Sequence, residues 1–343
     1  MNYYMEKEIF QQKECLINAY QINLKTFEII AKKFKEKEIK SVIFAARGSS
    51  DNSGVLFKYL FETICKIPVS FAAPSVLTLY KSNLDYSSSL VIGVSQSGQA
   101  QDVLAIIEEA NRQKAMTITI TNYIESPLGK AGSYHLFLDT GEEKSVAATK
   151  TFMTQMYLLG LLVGYIDNNH ELIKSLVELP EKLDISEEVL TQVKTYASEA
   201  KNIDSAFILG RGYQYAIAKE FALKMQETTY IQALSYSIAD FYHGPFAMIS
   251  ENSYSVVLMP EDESYQDGIK MLSALQKAGS KVLVITTNKN LDSSNKIVIP
   301  EVTKYQAPFV NIFVAQYFCL HLALARGLNP DEPRGLRKVT ITR

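Results

Sequence analysis

Tryptophan is absent, and cysteine and histidine are scarce, with three and four copies among 343 residues. Cys15, Cys65 and Cys319 show no C-x-x-C spacing and lie in apolar helical contexts. That argues against a disulfide framework or a zinc knuckle and implies buried free thiols in a reducing, cytoplasmic setting. No H-x-x-x-H pattern and no acidic cluster with ligand spacing occurs, so no metal is expected. A Walker loop and a G-x-G-x-x-G fingerprint are also missing, and no cofactor is expected. The formal net charge of −2 lacks the basic excess of a nucleic-acid surface. The longest apolar run, MYLLGLLVGYI at 156–166, falls short of the ~20 residues a bilayer requires and reads as a buried helix. The polar, acidic start MNYYMEKEIFQQKE leads us to expect no signal peptide.

What is present is an ordinary globular composition, 47% apolar and 21% charged. The length suggests about two domains on a prior of ~150 residues each. β-rich runs at 41–46 (SVIFAA), 68–73 (PVSFAA), 90–94 (LVIGV), 116–121 (MTITIT) and 134–139 (YHLFLD) alternate with helical patterns such as DVLAIIEEANRQK. Near-continuous apolar strands between helices predict a parallel sheet covered on both faces.

The layout returns at an offset of 164. Arg47-Gly48 falls on Arg211-Gly212, 90–94 on YSVVL at 254–258, and 116–121 on KVLVI within one position. The chain therefore reads as a duplicated α/β unit. We expect helices in 1–40, a first unit over 41–177, a linker at 178–190, a second unit over 191–327 and a tail over 328–343. Two helices, EKEIFQQKECLINAYQINL and LKTFEIIAKKFKEK, are expected before the first unit, and a long one over 308–326 in the second.

The repeat is chemically unequal. The loop after the strand at 90–94 carries Ser95, Gln96, Ser97 and Gly98, and its counterpart carries Met259, Pro260 and Glu261. A hydroxyl-rich loop between a parallel strand and a helix suits an oxyanion, because the helix N-terminus adds free N–H groups and partial positive charge. A plain helix cap explains an isolated S-x-S-G equally well. A second such loop, ARGSSDNSG with Ser49, Ser50 and Ser53, follows the first strand, and two loops in one sheet can converge on one ligand.

In the second unit Lys224 and Glu227 share a helical face, compatible with a solvated ion pair or a functional one. His243 lies beside the Gly244-Pro245 turn, where a proton-transfer role competes with a structural one. His135, His170 and His321 read as structural. The tail NPDEPRGLRKVTITR is compositionally unlike a frayed end, and Lys338 is its one residue with nucleophilic potential.

Taken in order, ARGSSDNSG, SQSG, SVAATKTFMTQM, GRGYQYAIAKEFALKMQE, ADFYHGP and DEPRGLRKVT resemble the sugar isomerase (SIS) domain family. The similarity runs from about Ser41 to Arg343 and is strongest to the isomerase half of glucosamine-6-phosphate synthase and its stand-alone relatives. It implies two tandem flavodoxin-like units, each a parallel five-stranded sheet flanked by helices, with the tail over the site. It further implies that Ser50, Ser95, Gln96 and Ser97 hold the phosphate of a sugar 6-phosphate. Gly48, Ser49, Val146, Ala147 and Ala148 would line the sugar. Glu227 matches the base moving a proton between C1 and C2, and Lys224 an assisting lysine. His243 matches a ring-opening histidine reaching in from a neighbouring subunit, so a homodimer is expected. Lys338 matches a Schiff-base lysine, which needs burial or a nearby cation to be partly neutral.

Ala100 stands where the synthase carries a hydroxyl, removing one phosphate donor. With Asn at position 2 and no glutaminase segment expected, the reaction is expected to release ammonia from an amino-sugar 6-phosphate such as glucosamine 6-phosphate. A fructosamine-6-phosphate deglycase, a plain aldose–ketose isomerase and a non-catalytic sugar-phosphate sensor are the alternatives.

Overall fold

The central strands of a parallel sheet need cover on both faces, and those of this chain have it. β3 (Ser89–Val94) and β4 (Met116–Thr121) are buried at every position. The computed structural model describes residues 3–82 and 84–338, which divide into two compact units. The first holds residues 11–143, 150–177 and 337–338; the second holds 3–10, 144–149 and 178–336. Neither is continuous in sequence, whereas the repeat pattern alone suggested continuous segments.

In the first unit β1 (Ser41–Ala45), β2 (Val69–Phe71), β3, β4 and β5 (Tyr134–Phe137) pair in parallel in the order β2-β1-β3-β4-β5. In-register pairs such as Val42 with Leu90 and Ile92 with Ile118 align the carboxyl ends of the central strands. The connecting helices are α3 (Gly48–Ile64), α4 (Pro74–Thr78), α5 (Gln101–Arg112) and α6 (Pro127–Ala131), with α2 (Gln12–Lys35) and α7 (Lys150–Asp167) completing the cover, and α8 (His170–Val177) following α7. Val103, Ile106, Ile107 and Ala110, spaced along one face of α5, pack with Ala45, Val91 and Leu128. The apolar run at 156–166 forms the core of α7, buried on nearly all sides.

The second unit begins with α1 (Tyr4–Phe10) and continues through α9 (Leu179–Lys182) and α10 (Glu187–Glu199). Its strands are β6 (Ser205–Gly210), β7 (Gln232–Ser237), β8 (Tyr254–Leu258), β9 (Lys281–Thr286) and β10 (Lys296–Val298), all parallel in the order β10-β9-β8-β6-β7. Read from the other edge, this is the order of the first sheet. α11 (Tyr213–Thr229), α12 (Ile238–Phe241), α13 (Tyr265–Lys277) and α14 (Ala307–Ala325) complete it. α14 is long and apolar enough to cross a membrane by composition, yet 89% of its most apolar window is buried inside the protein.

Some expectations change. The two helices expected before β1 are instead one 24-residue helix, α2, preceded by the short α1. No glycine or proline interrupts residues 12–35, so nothing ends the helix near Leu24. The linker contains α9, because Pro180 lies in the first helical turn, where its missing N–H costs nothing. Cys15 and Cys319 are buried as expected, whereas Cys65 is partly exposed. Burial pushes the Cys15 thiol up to about 11 and the Cys65 thiol up to about 12.

Candidate active site

The loops β1–α3 and β3–α5 leave adjacent strands at the point where connections diverge, β1 leading out to β2 and β3 to β4. A crevice opens there in sheets of this order. The structure thus brings Gly48, Ser49, Ser50, Ser95, Gln96 and Ser97 to one end of one sheet. Gly48 opens α3 with φ +54° and is exposed, while Ser50 and Ser95 are nearly buried.

Backbone bonds hold the second loop rigid. Ser95 N–H donates to the Ile120 carbonyl at 3.1 Å, Asn122 N–H to that of Gln96 at 3.0 Å, and Leu128 N–H to that of Gly98 at 3.2 Å. Ser97 Oγ accepts from the Gln99 N–H at 3.3 Å, a local turn of the cap type. Gly98 takes φ +66°, and a Cβ there would lie 2.0 Å from Ser126 Oγ. Only glycine fits that position.

One charged pair joins the loops. Arg47, just before α3, donates from Nε and Nη2 to Oδ2 of Asp102, both at 2.7 Å. Asp102 lies in the first turn of α5. The second unit repeats this pair as Arg211 Nε and Asp267 Oδ2 at 2.9 Å, with Gly212 at φ +59°. Its serine loop is gone. Met259 is instead buried in the apolar cluster with Phe241, Met271 and Val284. The second unit keeps the scaffold and lacks the serine loop.

The second unit holds a different chemistry on α11. Glu220, Lys224 and Glu227 follow i, i+4, i+7 spacing and share a face. Lys224 Nζ bonds Glu227 Oε2 and lies 3.3 Å from Glu220 Oε1. Lys224 and Glu220 are wholly buried, and Glu227 keeps 21% of its side chain exposed. The solvated-pair reading of Lys224 and Glu227 is therefore replaced by a buried one. Burial opposes the Lys224 ammonium, but the Glu220 and Glu227 carboxylates outweigh it and hold the pKa above the usual lysine value. Lys224 is thus an ammonium at neutral pH and no nucleophile.

The family assignment rests on the repeat itself. A model described as the SIS domain matches residues 37–164 and again residues 200–326. The chain belongs to the SIS domain family. It is 31% identical over 362 residues to glutamine–fructose-6-phosphate aminotransferase (isomerizing) of Clostridium acetobutylicum, covering 99% of this chain and 59% of that protein. The chain thus spans under two thirds of the length of the curated relatives it matches. Among solved structures it superposes on the C-terminal domain of glucosamine-fructose-6-phosphate aminotransferase from Francisella tularensis with a TM-score of 0.83 and 25% identity, covering 97% of this chain and 99% of that one. Glucosamine-6-phosphate deaminase from Thermotoga maritima shares the fold at a TM-score of 0.78 and 23% identity, covering 99% and 100%.

Within this SIS chain the remaining expected residues divide between the units. Lys338 pairs with Glu143, a fully buried carboxylate in the first unit that also accepts from Thr151 N–H at 3.0 Å and Thr151 Oγ1 at 2.7 Å. Lys338 is 22% exposed, and the charge beside it is a carboxylate, where burial or a nearby cation was expected. Val146, Ala147 and Ala148 lie in the 144–149 segment of the second unit. That segment hangs from Glu8 on α1, whose carboxylate accepts from Lys144 N–H at 2.5 Å and Ser145 N–H at 3.3 Å. Gln316 Nε2 adds a bond to the Thr149 carbonyl at 3.3 Å. His243 is exposed on the second unit beside exposed Tyr242.

The other histidines have structural surroundings. His135 Nε2 meets Thr121 Oγ1 at 2.9 Å, and burial lowers its pKa. His170 meets Asn168 Nδ2 at 3.3 Å. His321 packs edge-on against Tyr317, and burial, then Lys194, bring its pKa down to about 4.

Sequence reasoning overlooked Glu220, Glu143, Glu8 and the Arg47–Asp102 pair as site components. Glu220 was detectable as an acid four residues before Lys224. Glu8 carries no local signal, because its partners Lys144 and Ser145 are 136 and 137 residues distant, and Glu143 shows only the nearby Thr151, its tie to Lys338 spanning 195 residues.

Proposed function

We propose that this protein is a phosphosugar isomerase that converts glucosamine 6-phosphate and water into fructose 6-phosphate and ammonia. The serine loops of the first unit, with Ser50, Ser95, Gln96 and Ser97, hold the phosphate. Gly48, Ser49, Val146, Ala147 and Ala148 line the sugar. His243 assists ring opening. Glu227 then takes the C2 proton and returns it to C1, turning the open-chain aldose amine into a C2 imine. Attack by the Lys338 amine on C2 expels ammonia and leaves a protein-bound imine, which water hydrolyses to the ketose and free lysine.

The observation that carries this reading is the pairing of Glu227 with the fully buried Lys224 ammonium. An ammonium fixed on the carboxylate orients it for repeated proton transfer. It also leaves imine formation to the partly exposed Lys338, whose amine has to leave Glu143 to react. The isomerase and deaminase names among the relatives support the substrate class. Exposure of His243 and Tyr242 supports its donation to a second copy of the chain, and a homodimer is part of the proposal.

Ammonia release from glucosamine 6-phosphate tests the reading, and no turnover at high protein concentration rejects that substrate. The same assay run on fructosamine 6-phosphates, with C2 deuterium exchange followed in parallel, separates deamination from deglycation and from plain isomerisation.

A further inference from the structure

The phosphate end of the first unit contains a charge that should repel its ligand. Asp102 sits in the first turn of α5, the helix whose N-terminus follows the Ser95–Gln96–Ser97 loop, and only 3% of its side chain is exposed. A buried carboxylate there works against the partial positive charge that makes a helix N-terminus attractive to anions. Arg47 answers it from the neighbouring loop with two bonds to one carboxylate oxygen.

Those bonds occupy one edge of the guanidinium, and no further Arg47 side-chain bond is found among the described residues. A guanidinium has five N–H donors in a fixed plane, and Asp102 takes two. The Arg47 side chain is 52% exposed even though Asp102 is buried beneath it. Arg47 immediately precedes Gly48, Ser49 and Ser50, so it lies in the same strand-to-helix connection as Ser50. The loop also lacks a hydroxyl at Ala100. A charge-assisted donor two bonds deep in an orienting carboxylate would make good that loss.

Resting on the phosphate site proposed above, we infer that Arg47 is a ligand of the substrate phosphate, with Asp102 as the residue that positions it. The second unit supplies an internal control. Arg211 and Asp267 form a looser counterpart, Nε to Oδ2 at 2.9 Å on a carboxylate 36% exposed, and Met259, Pro260 and Glu261 replace the serine loop beside them. A structural role predicts that each Arg variant loses affinity only as far as it loses stability; a ligand role predicts a loss for Arg47 beyond its change in melting temperature and none for Arg211.

The test is calorimetric titration of the full chain with fructose 6-phosphate, with inorganic phosphate as a second probe, accompanied by thermal melting of every variant. Arg47→Gln should weaken fructose 6-phosphate binding about tenfold or more, and Arg47→Lys should recover only part of the loss, because a point charge cannot bridge Asp102 and phosphate together. Arg211→Gln should bind like the unmodified protein. Arg47→Gln combined with Asp102→Asn should remain weak.

The inference is overturned if Arg47→Gln binds normally, or if the double variant regains full affinity, since Arg47 would then only cancel Asp102. Equal losses for Arg47→Gln and Arg211→Gln, tracking lowered melting temperatures, would also overturn it. No binding of either probe by the unmodified protein is a distinct result: it removes the phosphate site itself and the inference with it.

Discussion

Lys224 gives up all contact with water to sit among carboxylates, and its removal should show what that arrangement does. Lys224→Ala leaves Glu220 buried without its cation, so unfolding in denaturant should show a loss of about 3–5 kcal/mol. Glu227→Gln retains shape and should fold normally, but lower ammonia release by a factor of about 10²–10⁴, the usual contribution of a positioned base. If both substitutions cost only stability, the proton-transfer role fails. His321 offers an unrelated check at this scale. Its Nε2 is buried without a partner among the described residues, and its pKa is brought down to about 4. Between its ordinary value and about 4 the unfolded chain binds a proton that the folded chain refuses. Stability must therefore fall as pH drops through that window and level off below it. His321→Leu should flatten this part of the stability curve in denaturant melts at pH 4 to 7. Single residues also mark the limit of what the primary structure discloses. Lys224 and Glu227 were recognisable from helical spacing, but whether the pair met water or protein depended on the packing around α11. Glu143 within GEEK looked like any solvated acid, and only the fold shows it holding Lys338.

At the scale of elements, the serine loop is held by its geometry as much as by its hydroxyls. Gly98→Ala would force φ +66° on a residue with a side chain and drive its Cβ into Ser126. We expect a destabilisation of about 1–3 kcal/mol together with a loss of sugar-phosphate affinity, read by melting and titration. Gly48→Ala at φ +54° meets nothing within 4 Å, so it should cost only the backbone strain of roughly 1–2 kcal/mol and less affinity. Strands were legible because their apolar runs are continuous and short; β4 and β8 match the sequence-based limits, and β1 and β3 nearly so. Helices were less so where periodicity continues through a region without breakers, as in α2. The serine loop stood out for a physical reason as well: small hydroxyls and a glycine interrupt a buried strand–helix junction where Met259 fills the same place in the repeat.

At the scale of the molecule, duplication was visible in the offset of 164 because both units keep the same sheet order and the same Arg–Asp pair at the same junction. The units' discontinuity was not visible, since residues 3–10 and 144–149 join the second unit through contacts distant in sequence, such as Glu8 with Lys144 and Ser145. The proposed homodimer makes a quantitative prediction. Glu227→Gln and His243→Ala variants, each inactive alone, should recover about a quarter of full activity when unfolded together and refolded, because half the dimers are mixed and each mixed dimer has one intact site. No recovery would place His243 in its own chain's site or outside the reaction.

The central claim is that one sugar phosphate, gripped by the serine loops, reacts at Lys338. Borohydride reduction in the presence of fructose 6-phosphate, followed by mass mapping of the modified peptide, measures both parts together. The account predicts a hexose-phosphate adduct on Lys338 that Ser97→Ala greatly diminishes. An adduct on other lysines alone, or labelling of Lys338 indifferent to Ser97, would contradict it.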